Sequence, residues 1–167
     1  MTADPLTALA ALVGNRLREA AAVLVTAESC TGGWVAQAVT AIAGSSEWFE
    51  RGFVVYSNVA KEEVLGVRRE TLERHGAVSE ETAKELALGA LERSRGTISI
   101  AVTGVAGPTG GSAAKPVGLV CFAWATKLGI KTENRHFAGD REAVRRQSVA
   151  RALEGVLEAL DAASPQA

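Results

Sequence analysis

The sequence predicts an α/β protein, a three-layer α/β/α sandwich around a mixed, mainly parallel sheet. Three observations carry that expectation. Short β-branched apolar runs alternate with stretches of helical period, the pattern of a sheet covered by helices. The early run AVLVTAE (22–28) is continuously apolar and β-branched, as in a strand buried on both faces, and TISIAVTG (97–104) reads as a further strand. LVCFAWAT and KTENRHFAG, by contrast, face each other across Leu128-Gly129 as an antiparallel pair, and the second is polar and alternating like an edge strand.

Each element has a local reason. Leu6, Leu9, Val13 and Leu17 recur at helical spacing and open the chain with an amphipathic helix. After the first strand, Gly32 to Ala43 reads as an alanine-rich helix in which Ser29 or Thr31 is the expected cap. GFVVYSN (52–58) is the second strand, and AKEEVLG a short helix capped by Asn58. Ser79 followed by Glu80, Glu81 and Thr82 starts a helix that stops at Gly96 and leaves His75 between helices. TISIAVTG then leads into the glycine-rich GVAGPTGGSAAKPVG. After the antiparallel pair, Asp140 caps a last helix that buries Val149, Leu153, Val156, Leu157 and Leu160 on one stripe. The whole chain, 1–167, is expected to form one domain, with residues 160–167 as a frayed tail.

Composition narrows the partners. A net charge of −1 and a pI near 6.2 exclude the broad basic field of a nucleic-acid binder. Two cysteines without a CxxC, and two histidines, do not make a metal site and fit a reducing, cytoplasmic setting. The N-terminal stretch has Asp4 ahead of its apolar residues and Arg16 and Arg18 within its period, which predicts neither a signal peptide nor a membrane span.

Ligands of such sheets bind beyond the carboxyl ends of strands, and three chemically loaded stretches fall there: AESCTGG, YSNVAK and VTGVAGPTGG. In the first, Ser29 is a candidate nucleophile with the following turn as an oxyanion site, and Cys30 is its rival or a small buried hydrophobe. The GxSxG elbow is absent, and neither histidine has a catalytic-looking context. Lys61 is then the candidate base with Tyr56 as a proton relay, against the plainer reading of a solvated charge beside Glu62 and Glu63. No SxxK spacing links Ser29 and Lys61, so any pairing has to be made by the fold. The loop glycines at 104, 107, 110, 111 and 118 match neither GxGxxG nor a P-loop, yet the loop is long enough to offer backbone donors to an anion, with Thr103 at its entrance. Arg141 in the first turn of a helix opposes the dipole preference for acids there, a hint of phosphate recognition. Arg145 and Arg146 read as solvated surface.

Taken together, AESCTGG, GSSEWFERGFVVYSNVAK, HGAVSEE, VTGVAGPTGGSAAKPVG and FAGDRE resemble, in order and spacing over roughly residues 5 to 160, the C-terminal domain of CinA, the competence-damage-inducible family. The resemblance implies an amidohydrolase without metal or organic cofactor that converts nicotinamide mononucleotide to nicotinic acid mononucleotide and ammonia in pyridine nucleotide salvage. It implies Ser29, Tyr56 and Lys61 as catalytic residues. Cys30, Thr31, Gly32, Ser46, Asn58, Thr103, Gly104, Gly107, Gly110, Gly111 and Arg141 are implied to line the substrate pocket, and the assembly to be a homodimer or higher homo-oligomer. The alternative is a non-catalytic nucleotide-binding module, or one associated with competence and DNA damage, on the same fold.

Overall fold

The computed structural model describes residues 4–164. Helix α1 (Pro5–Glu19) leads to β1 (Leu24–Glu28) and α2 (Trp34–Thr40), then a single 3-10 turn (Ser45–Glu47) and β2 (Phe49–Val54). Helices α3 (Asn58–Leu65), α4 (Arg69–His75) and α5 (Glu80–Glu92) follow, then β3 (Ile98–Gly104), β4 (Leu119–Thr126), β5 (Gly129–His136) and α6 (Arg141–Ala163). The sheet order is β2-β1-β3-β4-β5. β1 is parallel to both β2 and β3, whereas β4 and β5 run antiparallel to their neighbours. This is the expected mixed sheet with a parallel core, and the polar β5 occupies an edge.

Alternation along each strand separates two cores. Leu24, Ile98, Ile100, Val102, Val120, Phe122 and Trp124 meet α1, α2 and α6 on one face. Val25, Ala27, Ala101, Cys121, Ala123 and Ala125 meet Leu86, Ala87 and Ala90 of α5 and Leu65 of α3 on the other. Among the described residues no helix is long and apolar enough to cross a membrane.

Several boundaries differ from the sequence expectation for identifiable reasons. β2 starts three residues early because Leu24 N–H bonds to Trp48 O at 2.8 Å, and it ends at Val54. Ser57, not Asn58, caps α3: its Oγ accepts from Ala60 N–H at 3.0 Å, which makes Asn58 the first helical residue. Helix α4 was invisible to periodicity because only Thr71 and Leu72 of its seven residues are buried, and His75 is its last residue rather than a linker. α5 ends at Glu92, before Gly96. At the C-terminus α6 persists to Ala163, with Leu160 buried and Asp161 paired to Arg16, so residues 160–163 are helix rather than tail; residues 165–167 lie outside the described residues.

Close approach of α5 to α3 depends on Gly89, where an added Cβ would stand 2.0 Å from the Leu65 carbonyl oxygen. That contact is backbone and has no side chain to swing away. Gly89→Ala is therefore expected to cost about 3 kcal/mol and to lower Tm by roughly 6–12 °C, measured by scanning calorimetry, and to disturb Lys61 through the shift of α3.

Candidate active site

The ends of the three parallel strands lie close together: Glu28 pairs with Val54, the last residue of β2, on one side and with Val102, two residues before the end of β3, on the other. Everything that follows those residues is thereby gathered at one edge of the sheet, which is the physical content of the strand-end rule. Ser29 N–H continues the ladder to Val102 O at 2.9 Å. Its side chain falls on the α3–α5 face, where Lys61 arrives from the first turn of α3.

Lys61 is 1% exposed and Ser29 7%. Lys61 Nζ lies 3.0 Å from Ser29 Oγ and donates to Tyr56 O at 2.9 Å. Among the described residues no carboxylate pairs with this ammonium, and burial pushes its pKa below the ordinary lysine value. The solvated reading of Lys61 is thus corrected, since Glu62 turns away to pair with Arg69. A desolvated amine held against a serine hydroxyl has the geometry a base needs to take that proton.

Cys30 has no such environment. It belongs to the apolar core under α2, and burial, reinforced by the Glu28 carboxylate, pushes its thiol up to about 12. A thiol in that state is inert toward carbonyls at neutral pH.

The turn itself is organised by Glu28, a residue the sequence reading left without a role. Buried at the strand end, its carboxylate accepts from Thr31 Oγ1 at 2.7 Å, Val35 N–H at 2.8 Å and Ala36 N–H at 3.0 Å. Glu28 therefore caps α2, in place of Ser29 or Thr31, and Gly33 occupies the N-cap position with φ +101°. The signal was available: a carboxylate closing an otherwise apolar strand has to find donors nearby. Burial raises its pKa above the usual carboxylate range, although these hydrogen bonds act against that. Glu28→Gln substitutes an amide donor for one acceptor oxygen and leaves an α2 amide unpaired, so a loss of about 2 kcal/mol is expected in urea unfolding.

Around the pair, Thr103 is buried and donates its hydroxyl to Ala77 O at 2.9 Å. Gly104 ends β3, where a Cβ would meet Val120 and Leu119 O. In the following loop Gly107, Gly110 and Gly111 all adopt positive φ. Arg141, at the start of α6, donates to Gly107 O at 2.7 Å and to the Tyr56 hydroxyl at 3.3 Å. Tyr56, an exposed residue, thus touches Lys61 through its main-chain carbonyl, while its phenol accepts from Arg141. Asn58 stands exposed beside it on α3.

Ser46 is a correction. It lies in the turn before β2, and because β2 is parallel to β1 it is at the end of the sheet opposite Ser29. A strand of five residues separates the two ends by about 17 Å, so within this chain Ser46 does not reach the cluster.

Arg145 is a second correction. Rather than being solvated, it lies partly buried against the Ser29 turn, with Nε donating to Cys30 O and Nη2 to Thr31 O, both at 3.1 Å. Its guanidinium stacks 5.5 Å from the Trp34 ring centre. Arg146 reaches the same ring but is exposed and pairs with Asp4. Four-residue spacing from Arg141 puts Arg145 on the same side of α6, a pattern readable in advance. Thr31, Gly32, Gly33, Trp34, Gln37, Arg141, Glu142 and Arg145 line a cleft of about 810 Å³ between the turn after Ser29 and α6, and neither Ser29 nor Lys61 is among its lining residues. Among the described residues no group of three or more metal-ligating side chains gathers anywhere.

Comparison with known proteins identifies the family. Residues 6–160 match the family model of the CinA C-terminal domain. The nicotinamide-nucleotide amidohydrolase PncC of Escherichia coli K12 is 55% identical over 155 residues, 92% of this chain and 94% of that protein. The protein of the same name from Pseudomonas putida is 50% identical, covering 93% and 97%. Among solved structures, the competence/damage inducible protein CihA from Agrobacterium tumefaciens superposes with a TM-score of 0.90 at 46% identity, over 96% of this chain and 99% of that one. With the match spanning nearly its whole length, the chain belongs to the CinA C-terminal domain family.

Proposed function

We propose that this protein is an amidohydrolase that converts nicotinamide mononucleotide and water to nicotinic acid mononucleotide and ammonia. The observation that carries the reading is the buried Lys61 Nζ at 3.0 Å from Ser29 Oγ, with no carboxylate among the described residues to hold the amine charged. The names of the relatives from E. coli and P. putida supply the substrate class.

In this reading neutral Lys61 takes the Ser29 proton as Oγ attacks the carboxamide carbon. The resulting oxyanion needs preorganised donors. In the turn, Ser29 N–H is spent on Val102, Gly32 N–H on Ser29 O, Trp34 N–H on Thr31 O, and the Val35 and Ala36 amides on Glu28. Gly33 N–H is directed at the Glu28 carboxylate; the amides of Cys30 and Thr31 donate to no other residue among the described residues, and we assign them to the oxyanion. The C–N bond then breaks, the Lys61 ammonium returns its proton to the leaving nitrogen, and ammonia departs. Water, deprotonated by Lys61, hydrolyses the acyl-Ser29 ester and regenerates the hydroxyl. Tyr56 supplies its phenol to the substrate rather than to Lys61. The nucleotide occupies the cleft between α2 and α6, with its phosphate against Arg141 and the Gly107–Gly111 loop.

The direct test is ammonia release from nicotinamide mononucleotide, with nicotinic acid mononucleotide followed chromatographically. Equimolar products are expected. Binding of the nucleotide without ammonia would replace this reading with that of a non-catalytic nucleotide-binding module.

A further inference from the structure

A trans peptide unit is planar, with its C=O and N–H pointing in opposite directions. A group that grips a carbonyl therefore also aims the amide of the next residue. The Cys30 and Thr31 amides of the Ser29 turn are aimed in this way. The unit carrying Thr31 N–H ends in Cys30 O, which accepts from Arg145 Nε at 3.1 Å. The unit carrying Cys30 N–H ends in Ser29 O, which accepts from Gly32 N–H at 3.0 Å. Gly32 N–H in turn shares a peptide unit with Thr31 O, and that oxygen accepts from Arg145 Nη2 at 3.1 Å. One guanidinium thus restrains both donors, the first directly and the second through Gly32.

We propose that Arg145 is a positioning residue, which orients the Cys30 and Thr31 amides toward the oxyanion by holding the carbonyls of the turn. The inference rests on the proposed amide hydrolysis for its kinetic consequence, but not for its structural one. A rival role as a phosphate ligand is disfavoured by the fork itself, since two of its N–H groups are already committed to main-chain oxygens and its face to Trp34. Only a planar fork meets both carbonyls at once, and a lysine ammonium keeps the charge without that geometry.

Arg145→Lys separates the two roles, and Arg146→Lys is the control because Arg146 stacks on the same ring without touching the turn. Steady-state kinetics with nicotinamide mononucleotide are measured alongside backbone amide NMR relaxation of the free proteins. For Arg145→Lys, kcat is expected to fall about tenfold to a hundredfold with KM within about twofold, and added motion is expected only at the Cys30–Gly33 amides. Arg146→Lys is expected to change neither. A raised KM at unchanged kcat makes Arg145 a substrate ligand and overturns the proposal, as does an undisturbed turn or a loosened turn with unaltered kcat. If the native protein releases no ammonia, the functional reading fails on its own. The relaxation data then still decide whether Arg145 orders the turn: unchanged amides overturn the inference, and loosened ones sustain it.

Discussion

Ser29→Ala is expected to lower turnover of nicotinamide mononucleotide by about ten-thousandfold or more, the scale on which loss of a nucleophile acts in serine hydrolases. The substitution removes one buried oxygen whose hydrogen-bond partner is Lys61 Nζ, so the fold is left in place and KM or nucleotide affinity changes little. The matching variant is Cys30→Ala, which deletes a thiol held up near 12 inside the α2 core. Its turnover is expected to stay within about threefold, with a modest loss of stability from the small cavity. Rates of ammonia release from the two purified variants decide between neighbouring nucleophiles. A dead Cys30→Ala beside an active Ser29→Ala would reverse the assignment.

Lys61→Met separates catalysis from stability. Without the base, kcat is expected to fall about a thousandfold or more, while Tm holds or rises. The second expectation follows from the pKa shift. Burial lowers the lysine pKa in the folded protein, so the unfolded chain binds that proton more tightly. Stability therefore rises with pH from the folded pKa up to the ordinary lysine value of 10.5, and at lower pH the buried ammonium costs free energy. An apolar side chain of similar length carries no such cost. In the native enzyme the same shift has a kinetic signature: kcat/KM increases with pH as Lys61 loses its proton, and levels off below pH 10.5. A rate that falls as pH rises through that interval would exclude the neutral amine as base.

Sequence alone determined what depends on local periodicity and on residue type. Strands 22–28 and 97–104 and the capped starts of α5 at Ser79 and α6 at Asp140 were all legible, because each is set by neighbours a few positions away. The motif residues Ser29 and Lys61 were also legible as chemistry, and the fold resemblance came from their order. Local signals failed where an element is short and polar, as in α4, or where two adjacent residues compete for one job, as Ser57 and Asn58 do for the α3 cap.

Tertiary structure decided which candidates share a site. Parallel pairing of β1 and β2 takes Ser46 to the far end of the sheet, because strand direction rather than sequence proximity determines which end a loop occupies. Burial separates the two neighbours: the same stretch lodges Cys30 in the core and leaves Ser29 against the Lys61 amine, which pairs with no carboxylate among the described residues. Packing of α6 against the turn converted Arg145 from apparent surface into a clamp on two carbonyls. What the eight residues TAESCTGG carry by themselves is a strand end, a bend and a choice of nucleophiles. The buried amine beside Ser29 and the guanidinium that grips the turn's carbonyls come from Lys61 and Arg145, 32 and 116 positions beyond Ser29, brought there by the fold.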